Sequence, residues 1–250
     1  MLATDAATKQ VGGAGASCVE VIGASLFNAA HVSVPGKSVL HAQGLVAAAS
    51  VLDKDWTLMA EDTLPRTVLD TIATPEVDPG DLADGAPFAN YRLRQCGIAD
   101  LVGNTAGYTG EDLDPLYEVL GNQPSFQTDQ QGRVGNYSYS AQGNVVSEQT
   151  VPILASTFEQ GLLLGSNVAA DDLGNDVAAD DCDLVQRLWD AVMAVYENKE
   201  GDTRCPEHGA AVAFLNVEHE NSDAFFHWDA RYAKGGALLK RSMLPLRNGG

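Results

Sequence analysis

The chain has 250 residues, of which 45% are hydrophobic and 20% charged, and this composition is typical of a globular protein with a sizeable core. Fifteen basic against 34 acidic residues give a formal net charge of -19 at pH 7, which repels phosphate backbones and anionic lipid and so excludes general binding of nucleic acid or membranes. No secretory signal pattern and no run of roughly 18 apolar residues occurs, so we expect a soluble protein made in the cytosol. Basic residues near the C-terminus are interpreted as a solvated tail: Arg231, Lys234, Lys240, Arg241 and Arg247.

The first third of the chain contains one predicted strand and two predicted helices. Residues 17–27, SCVEVIGASLF, predict a strand because β-branched and apolar residues cluster between glycine-rich stretches. Apolar residues at helical spacing predict a helix over residues 38–52. A second helix is predicted over residues 64–73, with Thr63 as its cap and Pro65 in its first turn. Its apolar stripe consists of Leu64, Val68, Leu69 and Ile72.

The middle of the chain begins with a loop rich in proline and glycine over residues 75–90. We expect a single domain, 1–250, and this loop is the candidate for an internal boundary. Helices are predicted over residues 111–120 and 144–164, and Pro152 should start or kink the second of them.

A polar segment rich in Gln, Asn, Ser and Gly precedes that second helix and carries three aromatic residues. Phe126, Tyr137 and Tyr139 are rigid side chains among flexible polar ones, a mixture that suits an adaptable contact surface. The alternative is a long loop with an edge hairpin whose aromatic side chains pack against the protein. The first interpretation makes these three residues a predicted partner interface.

Two late elements have the clearest patterns. Residues 183–199 carry a broad apolar stripe on a helix that begins with Asp residues. Residues 210–233 alternate around Asn221-Ser222 and predict an antiparallel hairpin in which Val217 faces Phe226. The opposite face of that hairpin then holds Asn216, Glu218, His227, Asp229 and Arg231. The fold class that follows is α+β, with several helices packed against an antiparallel sheet containing the C-terminal hairpin.

The segment VAADDLGNDVAADD, residues 168–181, repeats five letters and is strongly acidic. It lacks the oxygen spacing and the final Glu of a helix-loop-helix calcium site, and two short copies do not make a solenoid. We interpret it as an acidic connector or a short helical pair, with calcium binding as the lesser alternative.

Two further motifs are incomplete. Gly36-Lys37-Ser38 resembles the second half of a phosphate-binding loop, but His31 stands where the leading glycine is required. Cys205 and His208 form half of a zinc signature, and the hairpin register places His219 and His227 on opposite faces. We therefore predict no metal site and no cofactor.

The four cysteines are scattered and form no Cys-x-x-Cys pair. In a chain of this length without a secretory signal, Cys18, Cys96, Cys182 and Cys205 are expected to be reduced thiols.

Four short segments resemble the penicillin-recognising serine hydrolases: SVPGKS from Ser33, NTAGYTG from Asn104, NYSYSAQG from Asn136 and YAKGG from Tyr232. The resemblance implies Ser33 as nucleophile, with Lys37 and Tyr139 assisting proton transfer. The sequence departs from the family, because Ser33 and Lys37 are four residues apart, Ala141 stands where an Asn is required, and Gly235 replaces a Thr.

The function expected first is that of a structural subunit without catalytic residues, most concretely a viral capsid or capsid-surface protein. A surface of modest charge density with aromatic-bearing polar segments suits interfaces. Glycine-rich ends such as VGGAGAS and RNGG would need neighbouring chains to order them. The expected partners are copies of the chain itself or a partner coat protein, in an oligomer located in the virion, with serine acyl-hydrolase as the alternative function.

Overall fold

Two antiparallel sheets and five helices form the described part of the chain, which has the α+β fold that the sequence predicts. The computed structural model describes residues 1–18, 30–44, 49–78, 90–119, 121, 126–161, 183–205, 212–220, 225–233 and 237–239. The strands are β1 Leu2–Asp5, β2 Gln10–Ser17, β3 His31–Val34, β4 Ser38–Gly44, β5 Arg94–Asp100, β6 Thr105–Thr109, β7 Phe126–Val134, β8 Tyr137–Val146, β9 Val212–His219, β10 Phe225–Ala233 and β11 Ala237–Leu239. The helices are α1 Ala49–Ala60, α2 Pro65–Ile72, α3 Leu113–Val119, α4 Thr150–Gln160 and α5 Asp183–Glu197.

The two sheets pack face to face between two helical layers. The large sheet has seven strands in the order β11-β10-β9-β2-β1-β8-β7, and the small sheet has four in the order β3-β4-β5-β6. Helices α4 and α5 cover the outer face of the large sheet, while α1 and α2 cover that of the small sheet. Between the sheets lies a small apolar cluster of Leu2, Val11, Val39 and Ala99. Polar side chains therefore make up much of the remaining interface.

The predicted helices with strong stripes are confirmed. Helix α5 buries Leu184, Leu188 and Ala191 against α4 and the large sheet, because apolar residues recur on one helical face. Helix α2 starts with Pro65 at its N-terminus, where the missing N–H is not needed, and Leu64 rather than Thr63 is the N-cap residue. Leu64 is 59% exposed, so it lies outside the buried stripe to which the sequence assigns it.

The prediction for residues 38–52 is wrong over its first half. Ser38–Gly44 forms β4 in the small sheet, and helix α1 begins at Ala49. Both faces of β4 are inside the protein, so Leu40 and Ala42 on one face and Val39 and His41 on the other are all buried. The strand consequently lacks the contrast between an apolar and a solvent-facing side that makes a period of two visible.

Two other boundaries differ from the prediction. The strand predicted over residues 17–27 overlaps β2 at Ser17, and residues 19–29 lie outside the described part. Helix α4 starts at Thr150 instead of residue 144, because the preceding residues to Val146 belong to β8. Pro152 lies in the first turn of α4, as expected for a proline that begins a helix. The short helix predicted over residues 111–120 is confirmed as α3.

The C-terminal hairpin is confirmed in the predicted register. Val217 pairs with Phe226 and Leu215 with Trp228, while the predicted tip, Asn221-Ser222, lies outside the described residues. The polar segment before α4 forms the β7–β8 hairpin, in which β7 is the edge strand of the large sheet.

Two expectations concern segments that the structure describes only in part or not at all. Strand β4 precedes the loop at residues 75–90 in the chain and β5 follows it, and the two strands pair with each other in the small sheet. The acidic segment 168–181 and most of the basic C-terminal tail lie outside the described residues. Among the described helices, none is both long and apolar enough to cross a membrane.

The expectation that all cysteines are reduced is wrong for two of them. Cys18, at the end of β2, forms a disulfide with Cys205, and their Cα atoms are 5.6 Å apart. The sequence conceals this pair because the two residues are 187 positions apart and become neighbours only through the pairing of β2 with β9. Cys96 is a buried free thiol on β5.

Candidate functional site

A buried histidine network lies between the two sheets, next to strand β3. His31, His41 and His227 are each less than 9% exposed, and Asn216 at their centre is fully buried. Each of the four side chains comes from a different strand, β3, β4, β10 and β9 respectively. We define the histidine network as His31, His41, Asn216 and His227.

Strand alternation places these side chains on the inner faces of the sheets. Because neighbouring residues of a strand point to opposite sides, Val32 and Leu40 face the helices while His31 and His41 face the large sheet. Gly13 on β2 makes room for one of the rings, since a Cβ atom at this position would lie 2.2 Å from His41 Nε2. Gly13 thus allows the two sheets to pack closely at this point.

The hydrogen bonds of the network run in one direction. Asn216 Nδ2 donates to Glu218 Oε1 over 3.0 Å, and a carboxylate only accepts, which fixes the orientation of the amide. Asn216 Nδ2 also donates to His31 Nε2 over 3.1 Å. A neutral His31 then carries its proton on Nδ1 and donates to His41 Nε2 over 2.9 Å. On the other side, Asn216 Oδ1 accepts from His227 Nδ1 over 3.3 Å.

A serine hydroxyl and a carboxylate extend the network toward the surface. Ser33 Oγ donates to Glu218 Oε2 over 2.8 Å, so Glu218 accepts from Ser33 with one oxygen and from Asn216 with the other. Ser33 and Glu218 are both half-buried, in contrast to the buried histidines. The site therefore contains a hydroxyl, a carboxylate that can take its proton, and an amide that orients the carboxylate.

Burial keeps the imidazoles of His31 and His41 neutral. It lowers the pKa of His31 to about 3, with smaller contributions from His227 and from the chain's N-terminal ammonium. It also lowers the pKa of His41 well below the usual value, with the N-terminal ammonium and His31 adding to the effect. The N-terminal ammonium of Met1 donates to the carbonyl oxygen of Ala14 over 2.8 Å, and burial lowers its pKa to about 5. His31 and His41 consequently act as fixed dipoles at neutral pH.

A second polar cluster lies between the sheets on the other side of β1, around Gln95. Gln95 Nε2 donates to Thr109 Oγ1 over 3.1 Å, and Thr109 Oγ1 donates to Asp129 Oδ1 over 2.8 Å. Gln131 Nε2 also donates to Asp129 over 2.7 Å. These amides and hydroxyls satisfy one another across the sheets, and we assign this cluster a role in sheet packing.

The structure does not bring together the three residues that the hydrolase resemblance implies. Lys37 Nζ donates to the carbonyl oxygen of Ala60 over 2.6 Å and to Asp62 over 3.0 Å. Tyr139 lies on the outer side of the large sheet, where its hydroxyl donates to Glu159 over 2.6 Å. Ser33 alone of the three lies beside the histidine network, where its hydroxyl donates to Glu218.

The residues of the predicted partner interface have different environments. Tyr139 is fully buried and packs on Phe158, and Tyr137 is half-buried with its hydroxyl bonded to Asp183. Phe126, on edge strand β7, is 40% exposed. An interface at these residues stays a prediction, and Phe126 is the member whose side chain is available to a partner.

The residues of the incomplete zinc signature are separated. Cys205 is in the disulfide, His227 belongs to the histidine network, and His208 lies outside the described residues. No group of three or more His, Cys, Asp or Glu arranged to hold a metal ion occurs within the described part of the chain.

Sequence reasoning missed His31 and His41 as site residues. Both histidines alternate with buried apolar residues in short strands, which is the pattern of an ordinary core strand. The hairpin register did predict that Asn216, Glu218 and His227 share a face, and the structure places all three at the site.

Comparison with known proteins supports the fold alone. No family model matches the chain, and no curated protein matches it. The structure is similar to the crystal structure of protein SPO2555 from Silicibacter pomeroyi, which is described with the family model DUF1028. The TM-score is 0.58 at 14% sequence identity, and the match covers 93% of this chain and 77% of the other. At this identity the two proteins share an arrangement of sheets and helices.

The hypothesis of a structural or capsid subunit is not tested by a single chain and stays a prediction. The hypothesis assumed that neighbouring chains order the glycine-rich stretch VGGAGAS. This stretch lies within β2 and is held by β1 and β9 of the same chain. Its order requires no neighbouring copy. The sequence RNGG lies outside the described residues.

Proposed function

We propose that the protein is a hydrolase of acyl compounds in which Ser33 is the nucleophile and Glu218 its general base. The observation that carries the proposal is the hydrogen bond of 2.8 Å from Ser33 Oγ to Glu218 Oε2, with the other carboxylate oxygen held by Asn216. A nucleophile bonded to a base, and the base bonded to an orienting group, is the arrangement that activates hydroxyl groups in covalent catalysis. The proposal keeps the nucleophile of the predicted serine hydrolase and replaces its base.

The chemistry follows from the positions of the two side chains. Ser33 Oγ attacks the carbonyl carbon of the substrate, the hydroxyl proton passes to Glu218, and the carbonyl electron pair moves onto its oxygen. The adduct then collapses, the bond to the leaving group breaks, and Glu218 returns the proton to that group. Water attacks the resulting ester in the same way and regenerates the Ser33 hydroxyl.

The histidine network acts on this chemistry through Asn216. His227 donates to the amide oxygen and His31 accepts from the amide nitrogen, so the Asn216 side chain is held from both ends. Its remaining N–H fixes Glu218 in reach of the hydroxyl. Asn216 is thus a positioning residue, and Ser33 and Glu218 are the proposed catalytic residues.

The proposal is tested by labelling with a fluorescent fluorophosphonate, which reacts with activated serine hydroxyls. We expect labelling of the wild-type protein and of Ser156→Ala, which removes an exposed serine on α4. Ser33→Ala should abolish labelling, and Glu218→Gln should slow it about 100-fold because the amide cannot accept the proton.

Two results would overturn the proposal. One is a wild-type protein that is folded and not labelled, and the other is labelling that persists in Ser33→Ala. Circular dichroism of each variant distinguishes a lost nucleophile from a lost fold.

A further inference from the structure

Asp55 is a buried carboxyl group without a partner in the described structure. It lies on α1, its side chain is 0% exposed, and neither carboxylate oxygen has a hydrogen-bond partner among the described residues. Its neighbour Asp53 on the same helix is exposed. A buried ionised carboxylate without hydrogen bonds is strongly unfavourable, so the environment of Asp55 favours the neutral acid.

Among the described residues, no positively charged group is paired with Asp55. Helix α1 packs on α2 and on the outer face of the small sheet, in a cluster that includes Met59 and Leu69. Arg94 on β5 is already paired with Asp78, with 2.9 Å between Arg94 Nε and Asp78 Oδ2, and both side chains are buried. The third nearby titratable group is the buried thiol of Cys96.

The charged groups of the other elements packed around α1 point elsewhere. Arg66 and Asp70 of α2 are exposed and bond to each other. His31 of β3 and His41 of β4 face the large sheet. Lys37 reaches only the C-terminal end of α1, at Ala60. Other titratable side chains near this layer are those of Lys54, Asp62, Tyr91 and Tyr108.

The space beside this cluster is too small for an organic ligand. A cavity of about 10 Å³ is lined by residues that include Asp78, Arg94 and Cys96, together with apolar side chains of α2. That volume is about the space of one water molecule. Asp55 does not line this cavity, and its buried oxygens have no hydrogen-bond partner among the described residues, so protonation is what removes the cost of burying its charge.

We propose that Asp55 is a proton-operated lock of the helical layer over the small sheet: the neutral acid permits α1 to pack, and loss of its proton loosens α1 and α2. Burial, followed by the nearby charge of Asp78, raises the pKa of Asp55 from 3.8 to about 8. The folded layer thus binds a proton that the opened layer releases at any pH between these two values. Stability of the layer falls as pH rises from about 4 to 8 and levels off above 8. The lock is independent of the proposed hydrolase activity.

The test measures how often the layer opens, with the Cys96 thiol as reporter. Wild type, Asp55→Asn and the matched control Asp53→Asn, each carrying Cys182→Ser, are labelled with dithiodipyridine from pH 5 to 9. The labelling rate of wild type divided by that of Asp55→Asn should rise about tenfold per pH unit up to pH 8 and then stay constant. Dividing the rates removes the intrinsic pH dependence of the thiol, and Asp53→Asn should behave as the wild type.

A rate ratio that stays constant from pH 5 to 8 would overturn the proposal. A second measurement needs no substitution: a ¹³C NMR titration of the Asp55 carboxyl carbon in the wild-type protein. A midpoint above pH 6.5 supports the lock, and any lower midpoint overturns it.

Discussion

At the scale of single residues, His31 and His41 couple the stability of the fold to acid. Burial holds the pKa of His31 at about 3, against 6.5 for an exposed imidazole. Between these two pH values the unfolded chain binds a proton that the folded chain does not bind. Neutral His31 therefore makes its full contribution to the free energy of unfolding above about pH 6.5. On acidification below that pH, the free energy of unfolding falls by about 1.4 kcal/mol per pH unit.

The histidine effect is tested with His41→Gln. At pH 7 we expect the variant to lose about 1–3 kcal/mol of unfolding free energy, because His31 Nδ1 loses its acceptor in a buried site. Below pH 6.5 the difference from wild type should shrink by about 1.4 kcal/mol per pH unit, since the variant no longer keeps a second imidazole neutral. Urea unfolding at several pH values measures both.

The control for this experiment is His219→Gln. His219 is partly exposed and lies on the face of β9 opposite to Asn216. Asp55 changes stability in the opposite direction over part of the same pH range, so the difference between variants isolates the histidine. Stability curves of wild type and His41→Gln that run parallel from pH 7 to 4 would contradict the prediction.

At the scale of elements, helix α5 packs its apolar face into the core of the large sheet. Leu188 is fully buried in the cluster formed with α4 and the large sheet. Leu188→Ala should lower the unfolding free energy by about 2–5 kcal/mol, since the substitution leaves a cavity in a packed core. Chemical denaturation with circular dichroism detection measures the change.

The matched control is the same substitution at an exposed site. Leu64→Ala removes the same atoms from a side chain that is 59% exposed, and we expect a change within about 0.5 kcal/mol. Equal losses in the two variants would contradict the prediction, because Leu64 would then contribute as much to packing as the buried Leu188.

The elements that the sequence predicts correctly are those whose two faces differ in polarity. Helix α5 and the β9–β10 hairpin carry a contrast between apolar and polar positions, and this contrast reveals the period of the element. Strand β4 lies between the other sheet and the helices, and both of its faces carry buried apolar residues, Val39 on one and Leu40 on the other. Its sequence therefore carries no period of two, and the alanines that follow extend a helical pattern backwards over it.

At the scale of the whole molecule, the candidate site depends on contacts between distant parts of the chain. Ser33 and Glu218 are 185 positions apart and meet because β3 of the small sheet faces β9 of the large sheet. A local motif search pairs Ser33 with Lys37, its near neighbour, and overlooks this contact. The sequence offers Ser33 only as the nucleophile that a resemblance implies, whereas its contact with Glu218 depends on the packing of one sheet on the other.

The disulfide between Cys18 and Cys205 is a second link of this kind. It closes a loop of 187 positions, and a loop of that length restricts the unfolded chain strongly. Replacing both cysteines with serine should lower the unfolding free energy by about 2–5 kcal/mol. Wild type should lose the same amount on addition of dithiothreitol, which should leave the double variant unchanged. Thermal unfolding of both proteins with and without reductant measures these shifts, and a wild-type melting temperature that is indifferent to reductant would contradict a stabilising role of this link.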